Sequence, residues 1–291
     1  SADKHILTKL HEIPVRNIVV SQHLVDLFYE KFRRRAEYIP NGVDHRIFTF
    51  TKGNNNRENS VLFVGNTFHP LKGFIFLASA LKAIQNSVER IDNLKLYVVY
   101  GRKIHDIQKV KEGFEKITGC EVELKFKLSS EEMALLMQKV CLVACTSWYE
   151  GFSLPLIEAM GVGTPVITTD NMGAESFCTN NYNSFIVKYG DLHTLTNRML
   201  EIIKNKNTVA QIINNARKTS IQYSEYNSVK SLIKSFQNLL KNEFDHGKAD
   251  ELLLEYKTPQ LENIFHTADS QGSVRASIII PVYNQLKHTK E

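Results

Sequence analysis

Residues 141–170 read CLVACTSWYEGFSLPLIEAMGVGTPVITTD. The stretch opens on an apolar run, CLVACT (141–146), and closes on another, PVITTD (165–170). Between them Glu150-Gly151-Phe152-Ser153 forms a turn, and a short helix begins near Leu154 with Pro155 in its first turn. Ser153 is placed to cap that helix. A Gly-Thr-Pro turn returns the chain to the second strand. Two continuous apolar strands joined through a helix make a parallel βαβ unit, covered on both faces. Packing alone does not account for Glu150 in the loop and Glu158 eight residues on.

The same alternation runs along the chain. Strands are expected at NIVVS (17–21), SVLFVG (60–65), LKLYVVYG (94–101), EVELKFK (121–127) and SFIVK (184–188). Helices are expected after the first strand to about Phe32, and over 73–88, 104–118, 191–205, 207–221 and 224–241. Ser129 or Ser130 can cap a further helix with Glu131 and Glu132 in its first turn. The fold class is therefore α/β, a Rossmann-like parallel sheet with helices on both faces. Ligands of such sheets bind at the carboxyl ends of the strands. The loops after Gly65, Gly101, Lys127, Thr146 and Asp170 are the ones that matter. GNNNREN (53–59) reads as a polar linker.

The 291 residues suffice for one large domain or two small ones, and 43% hydrophobic with 23% charged residues fits a globular chain. A formal charge of +5 permits an anionic ligand without demanding one. The basic run Lys31-Phe32-Arg33-Arg34-Arg35 reads as a solvated helix end rather than a nucleic-acid site. Cys120, Cys141, Cys145 and Cys178 form no C-x-x-C pair and suggest no metal site. Cys141 and Cys145, in CLVAC, read as small apolar residues of a buried strand. No apolar run reaches the length of a membrane helix, and SADKHILTKLHEI has no signal-peptide core, so a cytoplasmic protein is expected.

Two loops have the makings of an anion site. GNTFHPLKG (65–73) leaves a strand and enters a helix, with Lys72 at the helix start. Backbone amides, the helix dipole and an ammonium group converge there. The spacing is neither a P-loop nor G-x-G-x-x-G. An ordinary turn with a solvated lysine explains the same residues. Around Glu150 the amides of Gly151 to Leu154 suit an anion, and carboxylates suit vicinal hydroxyls. Glutamates complementing a helix dipole are the alternative.

The pattern as a whole resembles the donor-binding half of retaining GT-B glycosyltransferases of glycosyltransferase family four. EGFSLPLIEAMGVGTPV (150–166) is similar to the family's E-x7-E signature and its surroundings. FVG followed by LKG (63–73) resembles its phosphate loop, and YIPNGVDHRIF (38–48) its inter-domain segment. NSFIVKYGDLHTL (183–195) and QYSEYNSVKSLIKSF (222–236) resemble its last strand and closing helix. The resemblance covers about residues 18 to 241 and implies the C-terminal half of a GT-B fold.

The resemblance implies roles. Glu158 holds the ribose hydroxyls, Glu150 lies by the transferred sugar and takes part in catalysis, and Lys72 neutralises the diphosphate. Gly65, Asn66, Gly73, Gly151, Phe152, Ser153 and Leu154 contact the donor. Lys127 and Leu128 line the base, and the Gly173 turn lies close by. The donor is a UDP- or GDP-sugar. No metal or cofactor is required, because cationic groups take the metal's place. The departures are Asn66, where relatives carry an arginine that Arg102 would replace, and MGAES (172–176), which lacks one glycine and the proline of the family's turn.

SIIIPVYN (277–284) resembles the first strand of inverting family-two GT-A glycosyltransferases. The expected organisation is thus a remnant of an N-terminal acceptor domain with the inter-domain segment at 1–42, the donor domain at 43–241, a linker at 242–274, and the start of a GT-A-like domain at 275–291. The expected function is retaining transfer from a nucleotide-diphosphate sugar in bacterial surface polysaccharide synthesis, as a fragment of a bifunctional enzyme. The expected partners are the nucleotide sugar, a glycan or lipid-linked glycan acceptor bound through the missing domain, and a neighbouring transferase domain, with no nucleic acid. In the intact protein the resemblance allows a peripheral place at the inner membrane face. A non-catalytic nucleotide- or sugar-binding scaffold and a nucleotide-sugar epimerase are the alternative readings.

Overall fold

The computed structural model describes residues 17–50, 57–204 and 209–241. The 242–274 linker and the strand expected at 276–284 lie outside the described residues, as do the N-terminal residues 1–16. The described chain forms two compact units, one holding residues up to Pro40 and from Ser228, the other running Asn41–Asn227.

In the first unit β1 (Asn17–Val19) pairs in parallel with β2 (Ala36–Tyr38) through helix α1 (Gln22–Phe32). Val19, Leu24 and Phe28 form its small core. The helix ends in the Lys31–Arg35 run, where Arg33 turns left-handed (φ 54°) and returns its N–H to Tyr29 O at 2.9 Å. The basic run is a helix end, as its composition suggested. Strand β2 escaped the sequence reading, because three half-buried residues carry no apolar pattern and only backbone pairing defines them.

The larger unit is built on six parallel strands in the order β5-β4-β3-β6-β7-β8. They are β3 (Glu58–Val64), β4 (Lys95–Tyr100), β5 (Glu121–Phe126), β6 (Val140–Cys145), β7 (Val166–Thr169) and β8 (Phe185–Val187). Helices α2 (Phe74–Asn86), α3 (Ile107–Thr118) and α6 (Leu192–Lys204) pack together on one face. There Val61, Phe63, Leu96, Val98, Leu142 and Ile167 meet Leu77, Leu81 and Met199. Helices α4 (Ser130–Lys139), α5 (Leu154–Val162) and α7 (Ala210–Gln222) pack together on the other. The alternate strand residues Leu62, Tyr97 and Val143 are buried as well, which is why these strands read as unbroken apolar runs. A last helix, α8 (Glu225–Lys241), follows Ser224. No helix among the described residues is long and apolar enough to cross a membrane.

The chain lays β3, β4 and β5 outward in one direction, then starts again beside β3 with β6 and proceeds in the other. The switch point lies between β3 and β6, and the carboxyl edge there is where sheets of this kind bind their ligands. Local chemistry supports each turn. Ser129, not Ser130, caps α4, in a capping box with Glu132: the Glu132 amide donates to Ser129 Oγ at 3.2 Å and the Ser129 amide to Glu132 Oε2 at 2.7 Å.

The expected 53–59 linker ends earlier than its composition implies. Strand β3 already begins at Glu58. The Arg57 guanidinium lies within 3.0 Å of the carbonyls of Met137, Gln138, Val140 and Gly163, and 2.6 Å from Thr164 Oγ1. It closes the carboxyl end of α4, where helix carbonyls lack partners. A polar composition conceals such an anchor because its acceptors are backbone groups eighty and more residues away.

Candidate active site

The site begins with two loops that leave adjacent strands. After β3, Gly65 takes φ 143°, and the aliphatic stem of Lys72 lies over its Cα, 3.5 Å from where a Cβ would stand. A single 3-10 turn, Pro70–Lys72, leads to Gly73 at φ 60°. Only glycine fits at 73: a Cβ there would stand 1.9 Å from Thr146 O. Thr146 belongs to the loop after β6. Its Oγ1 donates to Gly73 O at 2.9 Å, and the Trp148 amide donates to Leu71 O at 2.8 Å.

These fastenings bring two side chains together. Lys72 Nζ lies 2.7 Å from Glu150 Oε1. Ser147 Oγ donates to the same oxygen at 2.7 Å. Both groups are largely withdrawn from water, with side-chain exposures of 34% for Lys72 and 16% for Glu150. A third loop, after β7, closes against them. Thr169 Oγ1 donates to Ser147 O, and a Cβ at Gly173 would stand 2.6 Å from Glu150 O. Asn171 shapes that loop by accepting the Ala174 amide at 3.1 Å and donating to Thr168 Oγ1 at 2.8 Å.

Glu158 is the fifth residue of α5 and is half-buried. Among the described residues its carboxyl group has no hydrogen-bond or ion-pair partner. Burial raises its pKa from 4.5 to about 7. A desolvated carboxyl group without a partner suits a ligand that brings its own hydroxyl donors.

The structure thus joins Gly65, Lys72, Gly73, Glu150 and Gly173 in one cluster at the carboxyl edge of the sheet. Ser153 precedes α5 but does not cap it: with φ −85° and ψ 75° its backbone leaves the usual N-cap conformation, and its hydroxyl donates instead to Cys145 Sγ at 3.4 Å. Gly151 and Leu154 flank it at the helix start. The Phe152 ring is buried 5.1 Å from Phe177 and 6.1 Å from Tyr223, so it packs the floor under the loop. Asn66 turns its Oδ1 back onto the Phe68 amide at 3.1 Å. Lys127 and Leu128 lie apart, after the edge strand β5. There Lys127 takes φ 51° and its amide donates to Tyr100 O at 2.9 Å. Arg102 is exposed after β4.

Several residues of the cluster went unread. Ser147, three residues before Glu150, was visible in position but not in role. Asn171 and Thr169 carry no local signal. Cys145 departs from its reading as an apolar strand residue. It is half-buried and its thiol lies among Ser147, Glu150, Ser153 and Asn171, whereas Cys141 is buried as expected.

Residues 45–219 match the family described as "Glycosyl transferases group 1". An uncharacterized glycosyltransferase of Methanocaldococcus jannaschii is 28% identical over 222 residues, 76% of this chain and 59% of that protein. The MMP alpha-(1->4)-mannosyltransferase of Mycolicibacterium hassiacum is 26% identical over 198 residues, 66% of this chain and 45% of that protein. The chain spans less than two thirds of either relative. Among solved structures, HepE of Anabaena in complex with UDP and glucose superposes with a TM-score of 0.62 at 21% identity, over 76% of this chain and 62% of HepE. A glycosyltransferase from Rickettsia africae gives 0.66 at 16% identity, over 81% and 67%. At such identity the likeness shows the fold.

Proposed function

Because the chain belongs to the glycosyl transferases group 1 family, we propose that the cluster at the carboxyl edge between β3 and β6 binds the nucleotide-diphosphate sugar donor of a retaining glycosyl transfer. The observation that carries the reading is the ion pair of Lys72 with Glu150 at 2.7 Å, placed at the switch point of the sheet. The desolvated Glu158 carboxyl group, without a partner among the described residues, supports it, as does HepE, a structural neighbour solved with UDP and glucose.

In this reading Glu158 accepts the two ribose hydroxyls, and Lys127 and Leu128 line the base. Lys72 meets the diphosphate, together with the amides of Gly151 to Leu154. Negative charge grows on the leaving diphosphate as the sugar departs. A cation and fixed amides in a sheltered site stabilise that charge most in the transition state, which lowers the barrier. The acceptor hydroxyl attacks from the same face as the departing group. Its oxygen forms the bond to the anomeric carbon as the bond from that carbon to the phosphate oxygen breaks. The departing phosphate oxygen takes the acceptor's proton. Glu150 contacts the sugar hydroxyls and steadies the developing positive charge on the ring.

The acceptor half of the cleft, a glycan or lipid-linked glycan acceptor, and a neighbouring transferase belong to the same reading. So does polysaccharide synthesis; one relative is by name the poly(glycerol-phosphate) alpha-glucosyltransferase of Bacillus subtilis, 25% identical over 59% of this chain. Calorimetric titration with UDP, GDP and ADP, alongside Glu158→Ala, tests the core of it. Selective binding of one nucleotide, lost in the variant, is expected. Binding that survives Glu158→Ala unchanged overturns the assignment.

A further inference from the structure

One half-buried polar group has no part in the chemistry above. The Cys145 thiol, at the end of β6, lies 3.6 Å from Ser147 Oγ, 3.9 Å from Glu150 Oε1, 3.4 Å from Ser153 Oγ and 3.7 Å from Asn171 Nδ2. These four partners come from three different segments: the loop before Glu150, the start of α5 and the turn after β7. We propose that Cys145 is the positioning residue for Glu150, a thiol hub that sets the carboxylate through Ser147 and ties it to α5 and to the Gly173 turn. The role rests on the reading of Glu150 given above.

The donor and acceptor roles fit together. The thiol S–H donates toward Ser147 Oγ, and the Ser147 O–H donates to Glu150 Oε1 at 2.7 Å. Such a chain strengthens each of its links in a sheltered site. The sulfur in turn accepts from the Ser153 hydroxyl and the Asn171 amide. Asn171 also accepts the Ala174 amide, so the hub reaches the turn whose Gly173 stands against the Glu150 carbonyl. Burial, and then the charge of Glu150, push the thiol's pKa up, which keeps it protonated as a donor. An aliphatic residue at 145 would fill the space and satisfy none of these groups.

The test uses the full-length protein with UDP-glucose, GDP-mannose and ADP-glucose as donors, reading release of the nucleoside diphosphate. Cys145→Val is expected to lower kcat about tenfold while KM for the donor moves less than about twofold, the mark of misplacement rather than lost binding. Cys145→Ser is expected to restore most of kcat, since its hydroxyl donates to Ser147. The double variant Cys145→Val with Ser147→Ala is expected to lose clearly less than the two single losses combined, because the thiol sets Glu150 through that serine. Additive losses, or wild-type kcat in Cys145→Val, overturn the proposal. If Cys145→Val fails to fold, Cys145→Ala takes its place. Glu150→Gln separates the two readings: an inactive Glu150→Gln beside a fully active Cys145→Val overturns the hub alone, whereas a fully active Glu150→Gln overturns both. If none of the three donors turns over, the crystal structure of Cys145→Val decides. A Lys72–Glu150 pair displaced from 2.7 Å supports the hub, and an unmoved pair overturns it.

Discussion

The Lys72 ammonium nitrogen and the Glu150 carboxylate stand 2.7 Å apart although 78 residues separate them in the chain. They meet because β3 and β6 are neighbours and their loops are stitched through Gly73, Thr146 and Trp148. A cation held by a neighbouring carboxylate is pre-positioned, so a diphosphate need only take a share of it.

Lys72→Ala is therefore expected to weaken binding of the preferred nucleoside diphosphate about 10- to 100-fold, the worth of one hydrogen bond to a charged group. Binding of the corresponding nucleoside stays unchanged. Calorimetry on both ligands checks the contrast, and an equal loss for the nucleoside contradicts it.

Glu158 gives the unit a pH dependence. Its pKa is raised by burial from 4.5 to about 7, so between those values the unfolded chain releases a proton that the folded protein keeps. The unfolded state then binds fewer protons, and stability falls as pH rises from about 4.5 to about 7, by at most about 3 kcal/mol. Glu158→Gln removes that fall. Urea midpoints at pH 5 and pH 8, compared between the two proteins, measure it. The same slope in both contradicts the assignment.

Gly73 and Gly113 should respond in opposite ways to alanine. At Gly73 a Cβ collides with Thr146 O at 1.9 Å on a backbone of φ 60°, so Gly73→Ala is expected to cost about 3 kcal/mol or more and to part the two site loops. Gly113 lies inside α3 with nothing within 4 Å of its missing Cβ, so Gly113→Ala is expected to add about 0.5–1 kcal/mol. Thermal unfolding of the two variants settles both signs.

Arg57→Met keeps most of the side chain's volume and removes its donors. The carbonyls of Met137, Gln138, Val140 and Gly163 then lose a partner at a helix end. A loss of about 2–4 kcal/mol is expected in denaturant unfolding, with nucleotide affinity unchanged in the folded protein. A loss under about 0.5 kcal/mol contradicts the anchor.

Much of this was legible in the residues. Unbroken apolar runs marked β3, β4 and β6, since burial on both faces leaves no polar alternation to confuse the pattern, whereas the edge strand β5, EVELKF, showed itself by alternation. The loops carrying Lys72 and Glu150 could be picked out because strand ends define where ligands bind. Strand β2 was not legible, being three residues defined by pairing alone. Ser153 was read as a helix cap because sequence shows a hydroxyl before a helix and not the thiol that claims it.

By itself, then, the sequence determined the α/β class, the parallel strands, the helices after the Lys72 and Glu150 loops, and a resemblance to a transferase family around Glu150 and Glu158. These depend on periodicity and on neighbours a few residues apart. Only the tertiary structure decided that Lys72 pairs with Glu150, that Arg57 closes a helix eighty residues away, and that Cys145 lies at the meeting of three segments. Strand order decides which loops become neighbours, and a glycine's missing Cβ decides how closely they approach. Neither is written in any local window of the chain.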